Sequence, residues 1–130
     1  MEHKFIAYEG EIYTIEWYYD SRGKSHAKEY YLELSRDQQK KFARLLITLG
    51  DSGKIYNTEK FRYEEDKIYE FKPKPDRFLC FFYQDSKVII SNAFEKKTDK
   101  MPPQEKQKAL KAREDYINRC MEGSYYEETT

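Results

Sequence analysis

The sequence predicts an α+β fold, with a small, mainly antiparallel sheet, an N-terminal helical hairpin and a C-terminal helix. Three observations predict this class. Apolar residues alternate with period two near the start of the chain and again in its middle. Between these two regions, and again near the C-terminus, apolar residues recur at helical spacing. The length of 130 residues suits one domain, which we place at residues 1–120, followed by a polar tail at 121–130.

The N-terminal region predicts a strand or a hairpin. Apolar side chains alternate over residues 5–8 and 12–19, and Glu9 and Gly10 lie between the two runs. Tyr13, Ile15, Trp17 and Tyr19 share one face of the second run. A turn should follow in the segment "DSRGK".

Two helices are predicted next. The first covers residues 27–34, and Ser25 is placed to cap it. The segment 35–38, Ser-Arg-Asp-Gln, has the pattern of a capping box and opens the second helix. Gly50 and Gly53 are suited to end that helix. Because so few residues separate the two helices, they are expected to form a hairpin.

The second half of the chain predicts a three-strand meander and one more helix. After a connector at 54–66, strands are expected at 67–72, 77–84 and 87–92, joined by short turns. Pro103 suits the first position of the last helix. The inner stripe of that helix is predicted to contain Ala109, Ala112, Tyr116 and Cys120.

Composition limits the classes of function. The 24 cations and 24 anions give no net charge, which argues against coating nucleic acid by bulk charge. Residues 35–103, however, carry 15 cations and 11 anions, a net charge of +4. Cys80 and Cys120 fit free core thiols, and no Cys–His spacing suggests a zinc site. With no apolar run long enough for a signal peptide or a membrane span, a cytoplasmic protein without a cofactor is expected.

The segment "DKIYEFKPKPDRFLCFFYQDSKVIISNAFEKKTDKMPPQEKQKALKAREDYINR", residues 66–119, resembles a RelE/HigB-type toxin of a type II toxin–antitoxin pair, in its phage-associated HigB-like branch. The resemblance implies a small microbial-ribonuclease-like fold. It also implies cleavage of mRNA on the ribosome, and neutralisation by an antitoxin, expected to be a helix-turn-helix protein. No membrane partner is expected.

The resemblance implies site residues on the meander and in the turn after it. Arg77, Lys96 and Lys97 are the implied catalytic cations, and Lys72 is an implied RNA contact. The family often has arginine at the position of Lys72, and many members have His-Gly where this chain has Asn-Ala at 92–93.

The remaining candidates come from the chemistry of metal-independent RNA cleavage. Such cleavage needs a base, an acid and cations that stabilise the charge growing on the phosphoryl oxygens. Both histidines, at positions 3 and 26, lie outside the basic strands. Glu70 shares a strand face with Lys72 and is a candidate base, or else the partner of a lysine. Lys96, Lys97 or Lys100 is a candidate acid, because crowded lysines lower one another's pKa.

Further RNA contacts are predicted around this group. Lys74 and Lys100 add positive charge, and Tyr83 either stacks on a base or packs in the core. Tyr125 and Tyr126 in the tail are weaker functional candidates. Because Arg77 begins a strand and Lys96 and Lys97 lie in a turn, none of these three cations is expected to be a core residue.

Two functions from different classes therefore remain open. The first is a ribosome-dependent endoribonuclease. The second is a non-catalytic binding module of the same fold, either a gyrase-directed toxin or a degenerate toxin that only binds its antitoxin.

Overall fold

The structure is a computed structural model that describes residues 4–127, and it contains three helices and a six-stranded sheet. The elements in chain order are β1 (Ile6–Glu9), β2 (Thr14–Trp17), α1 (His26–Glu33), α2 (Arg36–Ser52), β3 (Phe61–Tyr63), β4 (Tyr69–Phe71), β5 (Asp76–Tyr83), β6 (Lys87–Glu95) and α3 (Pro103–Met121). No helix among these residues has the length and apolar content needed to cross a bilayer.

The sheet differs from the predicted one in size and in strand direction. Its strand order is β1-β2-β6-β5-β4-β3, and β2 pairs in parallel with β6 while the other neighbours are antiparallel. The α+β class is correct, but the predicted small RelE-like antiparallel sheet is wrong, because the sheet has six strands and is mixed through the one parallel β2–β6 pairing. The N-terminal hairpin and the meander join through the β2–β6 pairing into one larger mixed sheet.

The connector predicted at 54–66 contains an additional strand. Phe61, Arg62 and Tyr63 form β3, which pairs with β4 at the sheet edge. The ring of Phe61 stacks on that of Tyr69, and the ring of the exposed Tyr63 packs against Tyr69 at a tilt. Phe61 also packs against the core, so this edge strand contributes to it through aromatic packing. The predicted three-strand meander is therefore a four-strand meander.

Helix ends follow the local sequence signals. The Ser25 and Ser35 hydroxyls each accept a hydrogen bond from the backbone N–H three residues later, at 3.2 Å. Gly53, at φ 82°, ends α2, and Pro103 opens α3. Gly50, by contrast, lies inside α2.

Apolar side chains fill both faces of the sheet. One cluster joins the sheet to α1 and α2 through Ala27, Phe42 and Leu49, and a second joins it to α3 through Ala109 and Tyr116. Both cysteines are free thiols, and Cys80 is fully buried. The sheet is thus covered by helices on both sides, but α3 covers only part of its own face.

The chain after α3 turns back onto the core. Gly123, at φ 76°, allows the turn, and the N–H of Ser124 donates to the carbonyl of Arg119. Tyr125, placed in a polar tail by the sequence, is only 4% exposed, and it contacts Phe5 together with Tyr126. The turn at Gly123 directs the rings of Tyr125 and Tyr126 toward the core, so these two residues do not form part of a polar tail.

Candidate functional site

The α3-facing side of the sheet has one apolar part and one charged part. Side chains alternate along a strand. Ile68, just before β4, and Glu70, on β4, therefore face this side, and so do Arg77 and Leu79 on β5. α3 covers the apolar residues near the middle of the sheet. Toward the β3 edge, the same side carries charged residues that no helix covers. The strands therefore hold charged groups on a concave, partly open surface.

A β-bulge in β6 directs the lysine turn toward this side. Leu79 pairs with Asn92 but Cys80 pairs with Ile90, so Ser91 is the extra residue on β6. After the bulge Phe94 packs in the α3-side cluster, and Lys96 follows two residues later on the same side. β6 thus continues to Glu95, beyond the predicted end at 92, and delivers Lys96 directly into the site.

Six cations line a cavity of about 380 Å³ on this open part of the sheet, which we call the basic cavity. Their side chains come from four separate parts of the chain. The lining residues are Arg62, Lys72, Lys74, Arg77, Lys96 and Lys97, together with Thr98 and Asp99. Such a cavity favours an anionic ligand, because its lining holds six cations and one acid, Asp99. Acids outside the lining pair with Arg62, Lys74 and Arg77, whereas Lys72, Lys96 and Lys97 have no ion-pair partner among residues 4–127.

A buried ion pair lies beneath the basic cavity. Glu70 has no exposed surface, and its Oε2 lies 3.4 Å from Nε of Arg77, which is 8% exposed. The two atoms are close enough for an ion pair, but they do not form a hydrogen bond. Among residues 4–127, only both Glu70 oxygens and this Arg77 nitrogen are buried side-chain polar atoms without a hydrogen-bond partner. Buried polar atoms without a hydrogen-bond partner are rare and costly, so three of them at one place make the Glu70–Arg77 pair a candidate functional feature.

Two groups at the cavity have shifted pKa values. Burial raises the pKa of Glu70 to about 7, the neighbouring Glu64 carboxylate raises it as well, and Lys96 and Arg77 act in the opposite direction. Burial also lowers the pKa of Lys72, whose Nζ donates to the Thr58 carbonyl at 3.2 Å. Glu70 can therefore change protonation near neutral pH more easily than an ordinary glutamate, and Lys72 loses its proton more easily than a solvated lysine.

The structure brings most of the predicted site residues together. Arg77, Lys72, Lys74, Lys96 and Lys97 all line the basic cavity, although Lys74 also forms an ion pair with Glu59. The expectation that Arg77, Lys96 and Lys97 would all lie outside the core is wrong for Arg77, and Lys72 is buried as well. Strand β4 places Glu70 directly against Arg77, and Lys72 is only 9% exposed.

Three predicted residues do not line the cavity. Glu70 lies under it and is enclosed. Lys100 is exposed in the turn beyond the lining residues. Tyr83 is at the far end of β5, about 20 Å along the strand from Arg77, and packs edge-on against Tyr116. Tyr83 therefore serves the core beneath α3.

Two residues of the site were missed in the sequence. Arg62 lines the cavity, and Glu64 lies beside Glu70, but both fall in or next to the unpredicted strand β3. The sequence does contain a signal for them. In "FRYE" the aromatic and charged residues alternate, which would have placed Arg62 and Glu64 on the face opposite Phe61 and Tyr63.

Comparison with protein families identifies the family of this chain. The family model described as "Phage derived protein Gp49-like (DUF891)" matches residues 29–114, well over half of the chain. The chain belongs to this family. The matched segment contains every residue that lines the basic cavity, and also the Glu70–Arg77 pair. The Gp49-like family is a family of RelE/HigB-like toxins, which agrees with the sequence resemblance at this coarser level and points to an antitoxin partner. No curated protein matches the chain.

The charged groups at the site are cations and carboxylates. Among residues 4–127, no group of three His, Cys, Asp or Glu side chains is arranged to hold a metal ion. The geometry instead offers Arg77 and five further lysines and arginines, one of which is Lys72 with its lowered pKa, above the buried carboxylate of Glu70. Such groups can bind a phosphate, stabilise negative charge on it and exchange protons with it.

Proposed function

We propose that this Gp49-like protein is the toxin of a type II toxin–antitoxin pair, of the phage-associated HigB-like branch, and that it is a ribosome-dependent mRNA endoribonuclease. It acts in the cytoplasm, where an antitoxin, expected to be a helix-turn-helix protein, neutralises it. One observation carries this proposal: the unsatisfied Glu70–Arg77 pair lies directly beneath a cavity with six cations. A merely solvated lysine turn would not need a buried, poorly satisfied arginine below it.

The cleavage reaction needs the groups that line the cavity. The ribose 2′-oxygen forms a bond to phosphorus, and the bond from phosphorus to the 5′-oxygen breaks. The products are a 2′,3′-cyclic phosphate and a 5′-hydroxyl. Arg77, Lys96 and Lys97 stabilise the negative charge that develops on the nonbridging oxygens. Arginine suits this role because its planar group can donate two parallel hydrogen bonds to one phosphate.

Lys72 is the group we assign to proton transfer. Its pKa is lowered by burial, so a larger fraction of neutral amine is present than for a solvated lysine. The neutral amine accepts the proton of the 2′-hydroxyl, and the resulting ammonium or a neighbouring lysine returns a proton to the leaving 5′-oxygen. No histidine lines the cavity, so a lysine is the natural candidate.

Glu70 acts through Arg77. Its carboxylate is fully enclosed, so it does not reach the substrate in this structure. It instead holds the guanidinium on the cavity side of the sheet, and we therefore assign it as a positioning residue. This role replaces the catalytic base considered from the sequence. The sequence alternative, an ion pair with a lysine, is replaced by an ion pair with Arg77.

A non-catalytic toxin that binds another target is the second candidate. The observation that favours it is the absence of net charge, which leaves RNA binding to depend on one local patch. The two candidates make different predictions about messages in the cell, because only a nuclease shortens them.

Expression without the antitoxin tests the proposal. We expect growth arrest, and we expect mRNA cut at translated positions, mapped by the 5′ ends of the fragments. A Lys96→Ala, Lys97→Ala double variant expressed at the same level should leave growth and messages intact. Growth arrest with intact messages would favour a non-catalytic toxin that binds another target. Normal growth with intact messages, at confirmed soluble expression, would reject the nuclease and favour the degenerate binding module that only binds its antitoxin.

A further inference from the structure

A second cavity adjoins the basic cavity around the end of the sheet. It has a volume of about 280 Å³ and lies between α2 and the β3–β4 edge. Lys72 and Lys74 line both cavities, so the two share a cationic border. We call this second one the helix-side cavity.

Side chains of α2 fix the chain turn that separates the two cavities. Gln38 donates to the carbonyl of Pro73, and Lys41 Nζ donates to the carbonyl of Lys74 at 2.8 Å. The turn after β4 is thus tied to α2 at two carbonyls. Because α2 holds the turn at these two carbonyls, the backbone that carries the shared lysines keeps a fixed position between the cavities.

The helix-side cavity combines an apolar wall with a cationic rim. Leu45 and Pro73 supply the apolar surface, and Arg44 adds a positive charge from α2. Among residues 4–127, Arg44 has no ion-pair partner. The one acid on the wall, Glu59, is neutralised by Lys74. An apolar surface next to unpaired cations suits a nucleotide, whose base is apolar on its faces and whose phosphate is anionic.

We infer that the helix-side cavity is a second nucleotide subsite, and that a single RNA strand runs from the basic cavity across the 72–75 turn onto α2. The inference rests on the proposed function, because it takes the basic cavity as the place where the scissile phosphate binds. The cavity volume is near the lower end of the range for small ligand sites, which admits about one nucleotide. Arg44 contacts the phosphate of that nucleotide, and the 72–75 turn separates it from the cleavage point.

The inference is tested by comparing how the protein binds a short RNA and a longer one. Binding is measured with 2′-O-methyl RNA, which cannot be cut by 2′-hydroxyl attack, as a dinucleotide and as an oligonucleotide of roughly ten residues. We expect Arg44→Ala to weaken binding of the longer RNA and to lower its salt-dependence slope by about 0.7, the value for one lost single-strand phosphate contact. Dinucleotide binding should not change. Lys54→Ala is the matched control, since Lys54 is exposed and lines neither cavity.

Each outcome of this test decides the inference. Equal binding of the longer RNA by wild type and Arg44→Ala would overturn it, as would a wild type that shows no preference for the longer RNA. If Arg44→Ala instead loses only antitoxin binding, the helix-side cavity is a protein interface and the inference is wrong. If the longer RNA binds through Arg44 but no cleavage occurs on ribosomes, the subsite stands and the proposed nuclease activity fails.

Discussion

At the scale of the residue, the Glu70–Arg77 pair is the least ordinary feature of the molecule. Removing one partner of a buried pair leaves the other charge uncompensated, which can cost about 3–5 kcal/mol. Arg77→Ala is therefore expected to destabilise the fold, contrary to the near-neutral effect that its position at a strand start suggested. Lys96 is only partly buried and Lys97 is exposed, so substitutions there should change stability by about 0.5 kcal/mol or less.

Glu70 should make the stability of the protein depend on pH in a specific direction. Its folded pKa, about 7, is raised above the ordinary value of 4.5. The folded state therefore holds this proton more tightly than the unfolded state does. The stabilising contribution is fully present below about pH 4.5, and it is lost as pH rises through 7.

Glu70→Gln removes this titration. The difference in unfolding free energy between wild type and Glu70→Gln should fall by about 1–3 kcal/mol from pH 5 to pH 8. Urea unfolding at several pH values measures it. Glu29→Gln, at an exposed position on α1, is the control and should leave the pH dependence of the wild type unchanged. A constant or rising difference for Glu70→Gln would show that Glu70 is not a buried carboxyl of raised pKa.

At the scale of the element, the docking of α2 onto the β1–β2 hairpin depends on two glycines. The Gly50 carbonyl accepts hydrogen bonds from the N–H groups of Ile12 and Tyr13, at 2.7 and 2.9 Å. A Cβ on Gly10 would overlap the backbone of Gly50. The helix and the hairpin approach this closely only because neither glycine has a side chain.

Gly10→Ala should consequently destabilise the protein by about 3 kcal/mol or more, since neither backbone can move without breaking these hydrogen bonds. Gly23→Ala is the matched control. Gly23 has φ 78° but no neighbouring atom within 4 Å of an added Cβ, so it should cost only about 1–2 kcal/mol of backbone strain. Chemical denaturation of both variants gives the comparison. Equal losses would mean that the close approach between Gly10 and Gly50 is not a constraint on the fold.

Local signals predicted some elements and missed others for physical reasons. Ser25, Ser35 and Pro103 mark helix starts through contacts within one turn, so the sequence alone reveals them. Strand β3 has only three residues, and its pairing with β4 holds it in place. So short a stretch gives only a weak strand signal in the sequence. The parallel pairing of β2 with β6 joins segments that are far apart in the sequence, and no local pattern encodes it.

The same distinction holds for the candidate site. Its cations could be predicted from the ordered family resemblance, and the structure places Arg77, Lys96 and Lys97 in one cavity. The burial of Arg77 and the direction of Lys96 could not be predicted. The first depends on Glu70 of the neighbouring strand facing Arg77. The second depends on the bulge at Ser91, which turns Lys96 toward the α3 side.

At the scale of the whole molecule, the partial cover of the sheet by α3 explains how a neutral protein can present a basic site. The apolar part of that sheet face is buried under Ala109 and Tyr116, and the uncovered part carries the cations. Charge is thus concentrated at one concave surface, where it acts on a phosphate far more strongly than dispersed charge would. The central claim is that this surface is the cleavage site.

Single-turnover cleavage of mRNA on programmed ribosomes tests that claim most directly, comparing wild type with the Lys96→Ala, Lys97→Ala double variant. The control is Lys54→Ala with Lys111→Ala, which removes two exposed lysines outside the basic cavity. We predict that the first double variant loses roughly 100- to 1000-fold in rate, the loss typical of a missing transition-state donor, while melting temperature and antitoxin binding are unchanged. The control should cut as fast as wild type. Cleavage at the wild-type rate by the Lys96, Lys97 variant would contradict the assignment of the basic cavity as the cleavage site.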